Sequence, residues 1–279
     1  LETLHFGFSK LWKIRQHETL LMESSMKIIH GTLPCGTTGP KPEIRCWIPE
    51  HNPNGIGLII FPGGGYGMHA DHEGAGYAEH FSKLGIACFV VSYRLGPQGF
   101  RHPAMLEDAL AAIYTVRSAA ESFGVNPDRI GVMGSSAGGH LTASALVLSN
   151  RYSCDIPLRP NFGILCYPVI TSGEYAHRGS FKNLLGETPE EPLLQLLSLE
   201  QQVSPETPPC FIWHTADDQS VPVENSLLFA SALRRNNVPF ELHIYPHGRH
   251  GLGLAAPFPW AEACLQWMGG LFPISQEAV

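Results

Sequence analysis

From Lys27 onward, short apolar runs alternate with longer amphipathic segments. The stretch PEIRCWIPE at 42–50 alternates apolar and polar positions and predicts a strand with one solvated face. GIGLIIFPGGGYG at 55–67 is a continuous apolar run closed by a glycine cluster, which predicts a buried strand and then a tight loop. HEGAGYAEHFSKLG at 72–85 reads as a helix stopped by Gly85, and IACFVVSYRL at 86–95 as another buried strand. A long helix is predicted over 102–124, with Pro103 at its start and Gly124 after its end. DRIGVMGSS at 128–136 reads as a strand running into AGGHLTASALVLSN at 137–150, a helix. Three further strands are predicted at 162–169, 210–215 and 240–246, with helices near 223–236 and 258–270.

Strands that are apolar on both faces and separated by helices imply a mostly parallel sheet covered on each side, an α/β fold. In such sheets, sites form beyond the carboxyl ends of the strands. Residues 172–208 break the rhythm: they are polar, interrupted by proline and weakly helical. They predict a small cap-like insertion over the strand ends. The expected organisation is an N-terminal arm over 1–25 and one domain over 26–275. The arm has scattered charges and no apolar core ending in a cleavage site, so it does not read as a secretory signal; Met22 or Met26 is a candidate start.

Composition narrows the function class. The 279 residues are 44% hydrophobic, enough for a large core, and carry a net charge of −7 without a long basic run. That argues against nucleic acid as a partner, which needs clustered Lys and Arg. No apolar run reaches the roughly 18 residues of a membrane span, so no membrane partner is expected. Oligomeric state is not legible. The 7 cysteines are Cys35, Cys46, Cys88, Cys154, Cys166, Cys210 and Cys264; they form no CxxC pair and several lie in apolar stretches. They read as buried free thiols in a reducing, cytoplasmic compartment.

The chemistry gathers in four stretches, each after a predicted strand. Gly134-Ser135-Ser136-Ala137-Gly138 matches G-x-S-x-G, the sharp strand-to-helix turn that exposes a nucleophile. Its centre is Ser136. Ala137 opens the helix with a free backbone N–H that can face a developing oxyanion. FPGGGYG supplies Gly63, Gly64 and Gly65, whose lack of side chain lets the backbone approach a substrate; the second donor is the N–H of Gly64 or Gly65. Tyr66 either lines the pocket or covers the loop. HTADDQSVP offers two candidate acids, Asp217 and Asp218; Asp218 opens D-x-x-V-P and Asp217 reads as a turn or capping residue. PHGRHGLG offers His247 and His250; His250, flanked by Gly251 on the loop before the last helix, is the candidate base, and His247 a neighbouring pocket residue. Spacing does not support a metal site for His243, His247 and His250, or for His69 and His72. The chain order Ser, Asp, His is the order of α/β-hydrolases.

FPGGGY, SYRL, HPAMLEDALAAI, GSSAGGHL, HTADDQSVPVENS and HIYPHGRHGLGLA together resemble the α/β-hydrolase esterases that include acetylxylan esterases and the esterase domains of some feruloyl esterases. The resemblance spans roughly residues 27–272. It implies a sheet of about eight strands with the second antiparallel, and a triad of Ser136, Asp218 and His250. It also implies an acyl-enzyme route without cofactor or metal, and short acyl esters, above all acetyl, on xylan-derived oligosaccharides. Arg249 stands where the family pattern leads one to expect a small residue, and it is a candidate for shaping the pocket. Arg94 and Asp108 read as structural contacts below the site. Rival readings are a feruloyl or general short-chain carboxylesterase, a prolyl-oligopeptidase-like peptidase, and a non-catalytic binding protein.

Overall fold

The computed structural model describes residues 4–5, 26–33, 41–52 and 55–272. Most of the N-terminal arm and Cys35 lie outside the described residues; within the arm, Leu4–His5 pairs in parallel with Tyr152–Ser153.

Eight strands form one sheet: β1 Met26–Thr32, β2 Glu43–Pro49, β3 Gly57–Phe61, β4 Ala87–Ser92, β5 Ile130–Ser135, β6 Phe162–Cys166, β7 Cys210–Thr215 and β8 Phe240–Tyr245. Their spatial order is β8-β7-β6-β5-β3-β4-β2-β1. Only β2 runs antiparallel to both of its neighbours, β1 and β4. The helices are α1 Ala75–Ser82, α2 Ala104–Ser118, α3 Ala137–Leu148, α4 Arg178–Leu185, α5 Glu191–Leu196, α6 Glu224–Arg235 and α7 Trp260–Leu271.

The continuous apolar strands serve two cores at once, because successive side chains point to opposite faces. Ile59 and Phe61 of β3, Val132 of β5 and Ile212 of β7 pack with α2, α3 and α6. Leu58 and Ile60, Met133, Phe211 and Trp213 pack on the other face with α1 and α7. All of α3 is buried. That explains its run of small and apolar residues and its lack of an amphipathic stripe.

Three boundaries depart from the expected ones. β1 is an additional edge strand, paired antiparallel with β2, with an exposed Lys27 and His30, too polar to stand out. α2 stops at Ser118, and a 3-10 turn at Glu121–Phe123, ending on Gly124, lets Phe123 and Val125 fold into the core. β6 ends at Cys166 rather than 169, because Tyr167 adopts a φ of 37° and bends the chain.

Candidate active site

Ser136 sits between β5 and α3 with φ 54° and ψ −119°. Such a backbone costs about 1–3 kcal/mol and persists only where its surroundings enforce it. Here the Ser136 N–H donates to the Cys166 carbonyl at 3.0 Å, and its carbonyl accepts from Val169 at 3.0 Å and His140 at 3.1 Å. Gly138 is required by close approach: a Cβ there would lie 2.0 Å from the Phe61 carbonyl oxygen at the end of β3.

The candidate base and acid arrive from the loops after β8 and β7. His250 Nε2 lies 2.8 Å from Ser136 Oγ, and His250 Nδ1 lies 2.6 Å from Asp218 Oδ2. A carboxylate can only accept, so Nδ1 carries the proton and Nε2 is left bare to accept from the serine hydroxyl. Asp218 is aimed by its own loop: Oδ1 accepts the N–H groups of Ser220 at 2.8 Å and Val221 at 3.0 Å. Burial pushes the Asp218 pKa up, but the bonds from His214 and His250 outweigh it and hold the carboxyl well below the usual range. It therefore stays ionised beside the imidazole.

His214, on β7, is a partner that the sequence reading did not assign. It is fully buried, with Nε2 3.0 Å from the Val221 carbonyl and 3.4 Å from Asp218 Oδ2, and Nδ1 2.8 Å from Ser226 Oγ. Both Nε2 neighbours accept, so Nε2 carries the proton: it donates to the Val221 carbonyl and lies against the Asp218 carboxylate. Its one sequence signal is a polar residue inside an otherwise apolar buried strand.

The near-duplicates have their own places. Ser135 is buried on the opposite side of the turn, 2.9 Å from the Tyr77 hydroxyl. Asp217 pairs with His247 at 3.0 Å and accepts the Gly248 N–H at 2.7 Å, tying the acid loop to the base loop at the surface. The Gly248 N–H, then His247, lower the Asp217 pKa.

In the glycine loop, the carbonyls are all held: Pro62 by Tyr93 Oη at 2.6 Å, Gly63 by Ala70 at 3.0 Å, Gly64 by Gly67 at 3.0 Å and Gly65 by Asn183 Nδ2 at 2.9 Å. Gly64 takes φ 121°, a conformation open to glycine alone. The Gly63 N–H is committed to Glu73 Oε2 at 3.0 Å. Among the described residues, the N–H groups of Gly64, Gly65 and Ala137 donate to no protein acceptor.

Tyr66 is 1% exposed; its hydroxyl lies 2.9 Å from His140 Nδ1, beneath the loop. Arg249 is exposed and donates to the His250 carbonyl at 3.0 Å. Asn183 belongs to α4, so the 172–208 insertion is bonded to the glycine loop. His177 caps α4, accepting the Ser180 N–H at 3.3 Å, and burial lowers its pKa, with His250 adding to the shift and Asp218 opposing it. Arg94 and Asp108 form a buried pair, with Nε 2.9 Å from Oδ1. Burial pushes the Cys46 and Cys166 thiols up to about 12, which leaves them inert as nucleophiles. Among the described residues, no group of three or more His, Cys, Asp or Glu side chains is placed to hold a metal ion, and no helix is long and apolar enough to cross a membrane.

The prolyl oligopeptidase family matches residues 104–272, and the carboxylesterase family matches residues 44–155. An acetyl ester-xyloside bifunctional hydrolase from Caldicellulosiruptor lactoaceticus superposes with a TM-score of 0.79 at 44% identity, over 85% of this chain and 91% of that one. The chain belongs to the acetylxylan esterase-like serine esterases of the α/β-hydrolase superfamily. Within this family it is also 40% identical to an acetylxylan esterase of Xylanibacter ruminicola, over 82% of this chain and 47% of that protein. It is 40% identical to endo-1,4-beta-xylanase B of Butyrivibrio fibrisolvens, over 78% of this chain and 35% of that protein. The chain thus spans less than half the length of these two curated relatives.

Proposed function

We propose that this protein hydrolyses short-chain acyl esters, acetyl above all, on xylan-derived oligosaccharides. The observation that carries the reading is the continuous relay from Asp218 through His250 to Ser136, at 2.6 and 2.8 Å, together with the N–H groups of Gly64, Gly65 and Ala137, which donate to no protein acceptor among the described residues. The names of the relatives support acetyl and xylan as the substrate chemistry.

In the proposed route, His250 Nε2 takes the Ser136 proton as Oγ attacks the ester carbonyl. Asp218 stabilises the imidazolium and holds its tautomer. The carbonyl oxygen becomes an anion, received by the N–H of Ala137 and that of Gly64 or Gly65, strengthened by the α3 N-terminus. The tetrahedral centre collapses, and His250 gives its proton to the departing sugar oxygen. Water then attacks the acyl carbonyl as it loses a proton to His250, and His250 returns that proton to Ser136 Oγ as the C–Oγ bond breaks and the acid leaves. The chain's own residues supply each proton transfer, and no cofactor is called for. Tyr66 supports the loop from beneath, and Arg249, exposed beside the candidate base, is proposed to shape the pocket.

The prolyl oligopeptidase match covers the segment bearing all three triad residues, and the same relay can attack an amide. That makes a peptidase the second reading. The discriminating experiment measures acetate release from acetylated xylo-oligosaccharides, ferulate release from feruloylated arabinoxylan fragments, and cleavage of a prolyl chromogenic amide, with Ser136→Ala as the blank. Acetate release that disappears in the variant is expected. Ferulate release or amide cleavage in its place would move the assignment to that rival.

A further inference from the structure

The loops that build the site meet at one buried carboxylate that the proposed chemistry does not use. Glu73 is 2% exposed, on a 3-10 turn at Asp71–Glu73. Its Oε2 accepts the Gly63 N–H at 3.0 Å. Its Oε1 accepts the Tyr167 hydroxyl at 2.7 Å. Tyr167 Oη in turn accepts the Gly253 N–H at 3.0 Å, and its ring stands edge-on to His250, centroids 5.1 Å apart. The neighbouring His72 lies 3.0 Å from the Gly251 carbonyl through Nε2. One side chain thus joins the glycine loop, the bend after β6 and the base loop. It also lies close to the nucleophile. A Cβ on Gly63 would sit 2.3 Å from Glu73 Oε2 and 3.3 Å from Ser136 Cβ, so the Gly63 backbone is wedged between the two.

The protons run one way. A carboxylate only accepts, so Tyr167 must donate to it, leaving the Tyr167 oxygen to accept. Tyr77 Oη lies 3.2 Å from that oxygen, and Ser135 Oγ 2.9 Å from Tyr77 Oη. The orientation Ser135 to Tyr77 to Tyr167 to Glu73 satisfies every member, and each bond polarises the next. Burial raises the pKa of Tyr77 and Tyr167 well above the ordinary value, keeping both as neutral donors. The buried serine of the pair is thus the far end of this chain.

We propose that Glu73 is a positioning residue: it anchors the glycine loop so that its free N–H groups face the oxyanion formed on Ser136, and through Tyr167 it sets the base loop. The proposal rests on the triad reading above. An anion on the substrate oxygen exists only in the transition state, so loosening its donors lowers kcat and leaves KM nearly unchanged. Glu73→Gln keeps the shape but offers one accepting oxygen and one NH₂. With the amide oxygen kept on the Gly63 N–H, the NH₂ meets the Tyr167 hydroxyl, which must then accept instead of donate and reverse the chain through Tyr77. Tyr167→Phe leaves the Gly63 bond intact and removes only the second arm.

The test measures kcat and KM on a short-chain chromogenic ester, per active site titrated with a fluorophosphonate, for the wild type and both variants. Glu73→Gln is expected to lower kcat per titrated site by about 10–100-fold, less than the ~10²–10³ of deleting an oxyanion donor outright. KM is expected to stay within about twofold, with a smaller fall in kcat for Tyr167→Phe. Unchanged kcat per titrated site in Glu73→Gln would overturn the proposal, as would a loss seen only as fewer titratable sites. If Glu73→Gln does not fold, Tyr167→Phe decides alone, by whether kcat falls at constant KM. A wild type that the fluorophosphonate does not label would overturn the triad reading itself, and this role with it.

Discussion

At the scale of single residues, the doubled motifs separate into inner and outer members. Ser136, Asp218 and His250 converge, while Ser135 faces away and Asp217 with His247 clasps two loops at the surface. The consequence is a sharp asymmetry between neighbours. Ser136→Ala is expected to lower kcat by about 10⁴–10⁶-fold, whereas Ser135→Ala, which removes only the end of a hydrogen-bond chain, should stay within about tenfold. Steady-state kinetics on a short acyl ester checks both. Asp218→Asn keeps the volume but lets an amide meet the imidazole, favouring the tautomer with Nδ1 bare and Nε2 protonated. Turnover should fall by about 10⁴-fold while the fold survives, as judged by circular dichroism and active-site labelling. Ser136 and Asp218 were legible as candidates because Ser136 is the centre of G-x-S-x-G and Asp218 opens D-x-x-V-P. His214 and Glu73 were not. Each lies in a stretch whose neighbours look structural, and its role depends on partners contributed by other strands and loops.

At the scale of elements, the fully buried α3 follows directly on the candidate nucleophile, Ser136, and His140 ties it to the surrounding loops. His140 Nδ1 lies 2.9 Å from the Tyr66 hydroxyl and Nε2 3.0 Å from the Leu197 carbonyl, so one ring joins α3, the glycine loop and the insertion. Burial, opposed by the Leu197 carbonyl and reinforced by His102, lowers its pKa from 6.5 to about 4. The folded chain therefore refuses a proton that the unfolded chain takes up between those values. Stability is full above the unfolded pKa and is lost as pH falls toward the folded one. His102, lowered by burial to about 4, acts in the same sense. The melting temperature should decline between pH 6.5 and 4, and His140→Gln should flatten that decline while lowering the value at neutral pH. A second element-scale prediction concerns the elbow. Gly138→Ala drives a methyl to 2.0 Å from the Phe61 carbonyl, so it should destabilise by about 1–3 kcal/mol. It should also displace β3 from the nucleophile, visible as a loss of both melting temperature and kcat.

At the scale of the whole molecule, one sheet with a single antiparallel strand places four loops at its carboxyl edge, where the serine, acid, base and glycine loops meet. That architecture was readable because buried parallel strands are apolar throughout and helices of α/β proteins begin and end on glycine and proline. Less readable was whatever depends on long-range contact. The edge strand β1 is held by pairing rather than by its own pattern. The helix 102–124 was cut at Ser118 by the burial of Phe123 and Val125. The insertion was legible as a break in rhythm, yet its bond from Asn183 to Gly65, which makes it a wall of the glycine loop, has no local signal. The central claim remains that Ser136 carries the acyl group. The most direct measurement is rapid quenching of the enzyme with an acetyl ester, followed by peptide mass spectrometry. The account predicts one acetyl group on Ser136 that is absent in Ser136→Ala. Acetyl on Ser135, or full turnover with no acetylated serine, would contradict it.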